Sequence, residues 1–358
     1  MKIYIVCGEK SGDLYASRLV REIRKEEPKA KFRGFGGRNL RNEGVEIARD
    51  INDLSFMGVV SVFRNIKSLV KSINLCKNDI LLYKPNHVIL VDYGGFNLKI
   101  ARFAKQRNIT VSYYIPPKLW AWNKRRIKVI QKNIDNLFVI FPFEVDFYRK
   151  YNVKAIYEGN PLIDIIGSIK RKNENSKLIT LLPGSREQEV KKILPIMLSV
   201  INDFPEYDFT IAGVDSVPES IYSSIIKETG INLVFNDTYS LLSKSSIALI
   251  TSGTASLESA LIETPQIVCY KTNWITYLFA KLLVKTKFIS LVNILLDKEV
   301  VKELIQDKFN HKNLKRAMQD LLTNHQSNNM INEYKSLKNN LQKKENSFSR
   351  VAKEILTK

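Results

Sequence analysis

The chain has 358 residues, of which 44% are apolar and 26% charged, and 56 Lys and Arg against 36 Asp and Glu give it a formal charge of +20. This composition excludes collagen-like, coiled-coil and wholly disordered chains, and at ~100–200 residues per domain the length predicts two domains. The cation excess favours an anionic partner: nucleic acid, an anionic membrane surface or a phosphorylated substrate. Cys7, Cys76 and Cys269 lie far apart, with no Cys-x-x-Cys or Cys/His cluster, so neither a disulfide framework nor a metal site is expected. A reduced, cytoplasmic compartment is the simplest expectation. The N-terminal apolar run is too short for a signal peptide, and no stretch approaches the ~20 apolar residues that span a bilayer. Any membrane role is therefore expected to be peripheral.

In chain order, Lys2–Cys7 reads as a strand and Leu14–Lys25 as a helix after a Gly/Ser turn. Strands follow at Lys31–Phe35 and His87–Val91, then a helix over Asn97–Gln106, then strands at Thr110–Ile115 and Asn136–Phe141. Strands alternating with helices predict an α/β fold built on a parallel sheet. A polar stretch, 167–177, reads as a linker. The pattern then restarts with strands at Leu178–Leu182, Asp208–Ala212, Asn232–Phe235, Ile247–Ile250 and Gln266–Cys269, and helices over Glu187–Val200 and Thr254–Ile262. The expected domains are 1–168, 169–335 and a helical tail, 336–358, that packs on the first domain or on a partner subunit. From His311 onward the sequence is polar and helical and offers no new core. Two such units imply a cleft, with ligands at the carboxyl ends of the strands.

Several stretches carry chemistry. Gly8-Glu-Lys-Ser-Gly-Asp13 follows the first strand and opens a helix whose N–H groups face an anion, although it is not a dinucleotide fingerprint. As an isolated pattern it is equally a plain strand–helix turn. Pro183-Gly-Ser-Arg-Glu-Gln-Glu189 does the same in the second unit. There Ser185 suits either a helix cap or a ligand contact, and Arg186 at the positive helix end calls for an anion. Thr251-Ser-Gly-Thr-Ala-Ser-Leu-Glu258 is a good pyrophosphate cradle, with Glu258 placed for a ribose diol or, without a ligand, an ordinary helix charge.

Asp92 ends an apolar strand and Gly94-Gly95 follows, which suits either a general base or a helix N-cap; Asn97 suits a structural role or a ligand contact. From Tyr93 through Ile134 there is no acidic residue, and cations interleave with the aromatics of Tyr113-Tyr-Ile-Pro-Pro-Lys-Leu-Trp-Ala-Trp122. Such a surface suits stacked bases, lipid headgroups or simple solvation. Over 57–73, Phe63, Ile66, Val70 and Ile73 recur at helical spacing with Arg64, Lys67 and Lys71 elsewhere, which fits core packing or a membrane-facing helix. The three histidines are scattered and suggest no metal site and no Ser–His–Asp triad.

Taken together, these motifs resemble the lipid-A-disaccharide synthase family, over nearly the whole chain and in the right order. Gly8–Asp13 is similar to the family's Gly-Glu-Ala-Ser-Gly-Asp loop, with Lys10 for Ala. Met57–Val62 is similar to Met-Gly-x-x-Glu-Val, with Ser61 for Glu; Asp92–Asn97 to Asp-x-Pro-x-Phe-Asn, with Gly94 for Pro; and Gly159–Leu162 to Gly-His-Pro-Leu, with Asn160 for His. Tyr113–Trp122, Leu182–Glu189 and Ser252–Glu258 match in full, and Pro142–Glu144, Tyr270-Lys271, Leu283–Thr286, Asn293 and Val301–Gln306 follow.

The resemblance implies a GT-B architecture, two Rossmann-like domains facing across a cleft, and an inverting sugar transfer without cofactor or metal. UDP-2,3-diacylglucosamine would glycosylate 2,3-diacylglucosamine 1-phosphate (lipid X), forming a β(1→6) disaccharide and UDP. It implies a donor site of Gly184, Ser185, Arg186, Glu189, Ser252, Gly253, Thr254, Glu258, Tyr270, Asn293, Glu303 and Gln306. It implies acceptor and membrane contacts at Ser11, Gly12, Met57, Val62, Phe63, Ile66, Leu69, Val70, Ile73, Asn97, Trp120 and Trp122. Asp92 is the first choice for catalytic base, with Glu9 and Asp13 next. Peripheral attachment to the inner face of the inner membrane and a homodimer are further expectations, and no nucleic acid is expected. Another UDP-sugar enzyme on the same frame, an epimerase or a different glycosyltransferase, is the alternative.

Overall fold

The computed structural model describes residues 1–54, 66–121, 124–172, 176–227, 230–274, 277 and 286–357. The chain divides into two compact units, residues 1–161 with 343–358, and residues 162–342. The divisions thus fall at Pro161/Leu162 and Gln342/Lys343, not at the 168/169 and 335/336 breaks expected from composition.

Among the described residues the first unit holds seven strands: β1 Lys2–Val6, β2 Lys31–Gly36, β3 Glu46–Asp50, β4 His87–Val91, β5 Thr110–Tyr114, β6 Asn136–Val139 and β7 Ala155–Tyr157. All pair in parallel, in the order β3-β2-β1-β4-β5-β6-β7. β1 and β4 lie in the middle and are apolar almost throughout, since helices cover both faces of a parallel sheet. The order reverses between β1 and β4, so the loops after these two strands diverge and leave a crevice at their carboxyl ends.

The second unit holds β8 Leu178–Leu182, β9 Asp208–Gly213, β10 Asn232–Phe235, β11 Ile247–Thr251, β12 Gln266–Tyr270 and β13 Lys302–Ile305, again all parallel, in the order β10-β9-β8-β11-β12-β13. Its reversal lies between β8 and β11. The helices His311–Leu321 and Asn324–Leu341 belong to this unit and bury Leu314, Met318, Leu321, Tyr334, Leu337 and Leu341. They complete its core, which corrects the expectation that the sequence after His311 adds none. Only the final helix, Ser347–Leu356, returns to the first unit. There its Phe348, Val351, Ala352 and Ile355 are buried, it packs on helix Lys10–Glu26, and Arg350 pairs with Glu158.

Candidate active site

In the first unit the crevice between β1 and β4 is lined by the Gly8–Asp13 loop and by Asp92. Asp92 and Tyr93 are consecutive residues in the left-handed region, at φ 51° and 52°. Outside glycine this costs on the order of 1–3 kcal/mol each, so the surroundings must impose it. They do. Asn97 is fully buried and donates through Nδ2 to the main-chain oxygens of Val6, Val91 and Asp92, at 3.3, 3.2 and 2.8 Å. The Tyr113 hydroxyl donates to the same Asp92 oxygen at 2.7 Å, and the Tyr93 ring lies so close to Gly8 that any side chain there would overlap it. With the corner locked, the Asp92 carboxylate is only partly exposed. Burial, then the nearby Glu9 carboxylate, push it up to about 6, against the Tyr93 N–H and the Lys118 cation, which pull it down.

Asn97 was expected at the acceptor site; its Nδ2 group is instead spent on the backbone of β1 and β4, while its Oδ1 is buried without a hydrogen-bond partner. Asp13 is likewise not a free base. Its two oxygens accept the N–H groups of Gly37, Asn39 and Leu40, at 2.6, 2.9 and 3.3 Å, and so cap the short helix Arg38–Asn42. Glu9 and Ser11 are exposed at the start of helix Lys10–Glu26, and Gly12 is buried beneath it, facing the Asp92 side chain.

Two residues the sequence reading gave no role complete this corner. Glu144 is buried and accepts from the Trp120 indole N–H at 3.0 Å and from the N–H groups of Ile140 and Phe141 at 3.2 and 3.1 Å. Burial pushes Glu144 up to about 7. Lys118, two residues before Trp120, is held below its ordinary range by burial while Glu144, Asp92 and Glu9 draw it back up. The signal available in the sequence was Glu144 as the third residue of a helix opened by Pro142, a capping-box position. Asn160 is buried and donates to the Ile140 carbonyl at 3.0 Å, which ties down the same corner.

In the second unit the loops after β8 and β11 open helices Glu187–Leu198 and Thr254–Leu261 at the switch point. Gly184 has φ +119° and presses against Glu189, so both its backbone angle and the space around it require glycine. Of the two readings of Ser185, the cap is not made. Arg186 is the N-cap residue, its side chain making no capping bond, and Glu189 reaches back to the Ser185 N–H at 3.1 Å. Arg186 is exposed and its guanidinium rests on Glu189 at 2.8 Å, a surface pair worth little by itself and free to exchange for a phosphate. Tyr270, at the end of β12, feels both charges of this pair. Ser252 donates to the Ile289 carbonyl at 2.9 Å, which leaves Gly253 and Thr254 exposed at the helix start. Glu258, half-buried beside the Thr254 side chain, is raised by burial.

The remaining three expected donor residues form a layer behind these loops. Asn293 is fully buried and saturated: Nδ2 donates to the Val301 carbonyl and to Glu303, and Oδ1 accepts from the N–H groups of Val300 and Val301. Glu303 also accepts from the N–H groups of Ile289 and Ser290. Gln306 brackets Thr272, accepting from its N–H at 2.8 Å and donating to its carbonyl at 3.2 Å. Direct contact of Asn293 with a nucleotide is therefore corrected to support of the loop that approaches Ser252.

Of the expected apolar stripe, Met57, Val62 and Phe63 lie outside the described residues, as does Trp122, and the Ile66 side chain is likewise not described. Helix Ile66–Tyr83 turns Ile73, Cys76 and Ile80 inward, while Val70 is 45% and Leu82 82% exposed and Leu69 is half-buried, so Val70 and Ile73 do not share one buried face. Trp120 is half-buried, its ring edge-on to Phe143. Among the described residues no helix is long and apolar enough to cross a membrane.

Two parallel Rossmann-like sheets, each with helix-opening loops at its switch point, are the architecture of the GT-B fold. Solved structures carry the same fold: a Staphylococcus aureus MnaA–UDP co-structure (TM-score 0.67, 14% identity, 99% of this chain and 94% of that one) and Acinetobacter baumannii MurG (TM-score 0.59, 11% identity, 100% and 99%). Residues 3–357 match the family described as lipid-A-disaccharide synthetase (LpxB), and the chain belongs to that family. It is 36% identical over 324 residues to the lipid-A-disaccharide synthase of Syntrophus aciditrophicus, covering 86% of this chain and 85% of the relative. With lipid-A-disaccharide synthase 1 of Legionella pneumophila strain Paris it shares 32% over 357 residues, 95% and 93% of the two chains. Membership makes it a hexosyltransferase of lipid A biosynthesis that takes a UDP-sugar donor and a lipid acceptor.

Proposed function

We propose that the enzyme transfers 2,3-diacylglucosamine from UDP-2,3-diacylglucosamine to 2,3-diacylglucosamine 1-phosphate, with inversion, giving the β(1→6) disaccharide 1-phosphate and UDP. The observation that carries this is the locked Asp92 corner, with a carboxylate poised near pH 6 at a switch point. Asp92 removes the proton of the acceptor's primary hydroxyl as that oxygen bonds to the anomeric carbon. The bond from that carbon to the UDP oxygen breaks, and its electron pair leaves with UDP. In the second unit the N–H groups at Gly253–Thr254 and Arg186 receive the pyrophosphate charge, Arg186 exchanging Glu189 for phosphate. Glu258 takes the ribose hydroxyls, and Asn293, Glu303 and Gln306 hold the loops that do the binding.

The lipid tails call for an apolar landing site. Val70, Leu75 and Leu82 are exposed on helix Ile66–Tyr83 beside Lys67 and Lys71, around a depression of about 640 Å³. This pattern supports peripheral attachment to an anionic membrane surface. A homodimer is part of the same proposal, on family grounds.

Mass spectrometry of the product made from the two diacylated precursors tests the reading. The expected result is a disaccharide monophosphate with one UDP released per linkage, neither forming if one lipid is withheld. An altered UDP-sugar formed without acceptor would overturn it in favour of an epimerase, a reading that the fold alone supports.

A further inference from the structure

Between Tyr93 and Ile134 the chain carries ten lysines and arginines and no carboxylate. Lys99, Arg102, Arg107, Lys124, Arg125, Lys128 and Lys132 are exposed, as solvated cations should be; Lys105, which pairs with Asp135, Arg126 and Lys118 are half-buried. Drawing an ammonium out of water is costly unless opposite charge meets it, so a half-buried lysine in a basic stretch needs a reason. The carboxylates whose charge reaches it, without a direct ion pair, are those of Glu144, Asp92 and Glu9.

The backbone on both sides of Lys118 is anchored. On one side Pro117 packs on Gly94, where an added Cβ would stand 2.7 Å from the proline Cβ, joining this loop to the turn that follows Asp92. On the other, the Trp120 indole N–H is tied to Glu144, and its ring lies edge-on to Phe143, which stacks on Phe141. Leu119 is fully buried between them. Glu144 is itself fixed by two backbone N–H groups. A carboxylate buried only to cap a short helix needs no indole partner; this one braces the neighbouring loop.

We propose that Lys118 is a positioning residue for the transfer reaction, the cation built into the Asp92 corner, braced there by Trp120 and Glu144, where it acts as counter-ion to the Asp92 carboxylate. The proposal rests on Asp92 being the base. The titratable groups around Asp92 are Glu9 on the first loop, the Cys7 thiol just after β1, Tyr93 beside it, the Tyr113 hydroxyl on its main-chain oxygen, and Lys118. Only Lys118 among them is positive, so it opposes the upward push of burial and of Glu9.

The test is the pH profile of kcat/KM for Lys118→Met, Lys118→Arg and Trp120→Phe, with thermal melts to establish folding. Loss of the cation raises the pH at which Asp92 gives up its proton. In Lys118→Met the acid limb moves upward by somewhat under half a unit, a roughly twofold loss at pH 5.5 that recovers by pH 8.5. Lys118→Arg keeps the limb in place. Trp120→Phe moves it in the same direction by less, and reads the same effect if Lys118→Met does not fold. A uniform loss across pH, with the limb unmoved in Lys118→Met and Trp120→Phe, would overturn the proposal and leave Lys118 a structural or substrate-contacting residue. The residual turnover of Asp92→Asn separates the two claims. If it keeps the wild-type limb, the base assignment fails. If the limb vanishes there yet stays put in the lysine variants, only the role of Lys118 fails.

Discussion

Asn97 holds the main-chain oxygen of Asp92 at 2.8 Å, five residues back along the chain, while the Tyr113 hydroxyl grips the same oxygen from β5. Two donors on one carbonyl fix the corner without touching the carboxylate, which stays available to substrate. Asp92→Asn should therefore lower kcat by about 10²–10⁴-fold and leave the KM for the UDP-sugar donor within a factor of two. The same variant should be more stable. The folded carboxyl titrates near 6, above its ordinary 3.8, so the folded chain binds this proton more tightly and loses stability as pH rises through that window. Removing the charge should recover on the order of 2 kcal/mol at pH 8, and next to nothing below pH 4, measurable by urea unfolding at the two pH values.

Glu9 is the second cause of the Asp92 shift, as a like charge. Glu9→Gln should move the acid limb of kcat/KM to lower pH by about half a unit, opposite in direction to loss of Lys118. An unmoved limb would mean that Glu9 and the working base are not in electrical contact.

Arg186 is exposed and leans on Glu189, so its removal costs the fold little. Arg186→Ala should melt within about 1 °C of the parent chain, yet weaken UDP binding by about 10–100-fold, since an arginine–phosphate contact is charge-assisted and bidentate. Titration calorimetry with UDP checks this directly.

Asn293 predicts the reverse pattern. Asn293→Ala strands the N–H groups of Val300 and Val301 and removes a donor from Glu303, all in or near the interior. Unfolding free energy should fall by about 3 kcal/mol. UDP affinity, measured well below the melting temperature, should fall by less than in Arg186→Ala.

The central strands were legible because burial on both faces leaves unbroken apolar runs, as in His87–Val91 and Ile247–Thr251. Three strands were not: β3, β7 and β13, which lie at sheet edges, half-exposed, and in β3 and β13 carry charges. Asp92 was legible since the end of an apolar strand before Gly-Gly is a local pattern. The capping of Gly37 by Asp13 and the closed network of Asn293 were not, because their partners lie elsewhere in the chain and the residue type suits ligand and scaffold alike. Trp120 and Glu144 are 24 residues apart and meet only because β5 and β6 are neighbours.

The return of helix Ser347–Leu356 to the first unit has a consequence for biosynthesis. Residues 162–342 leave the ribosome as one uninterrupted stretch and can settle while translation continues. The first unit, begun earlier, waits with the apolar flank of helix Lys10–Glu26 uncovered until the closing helix is synthesised. A premature stop codon before Lys343 would leave that flank bare for good.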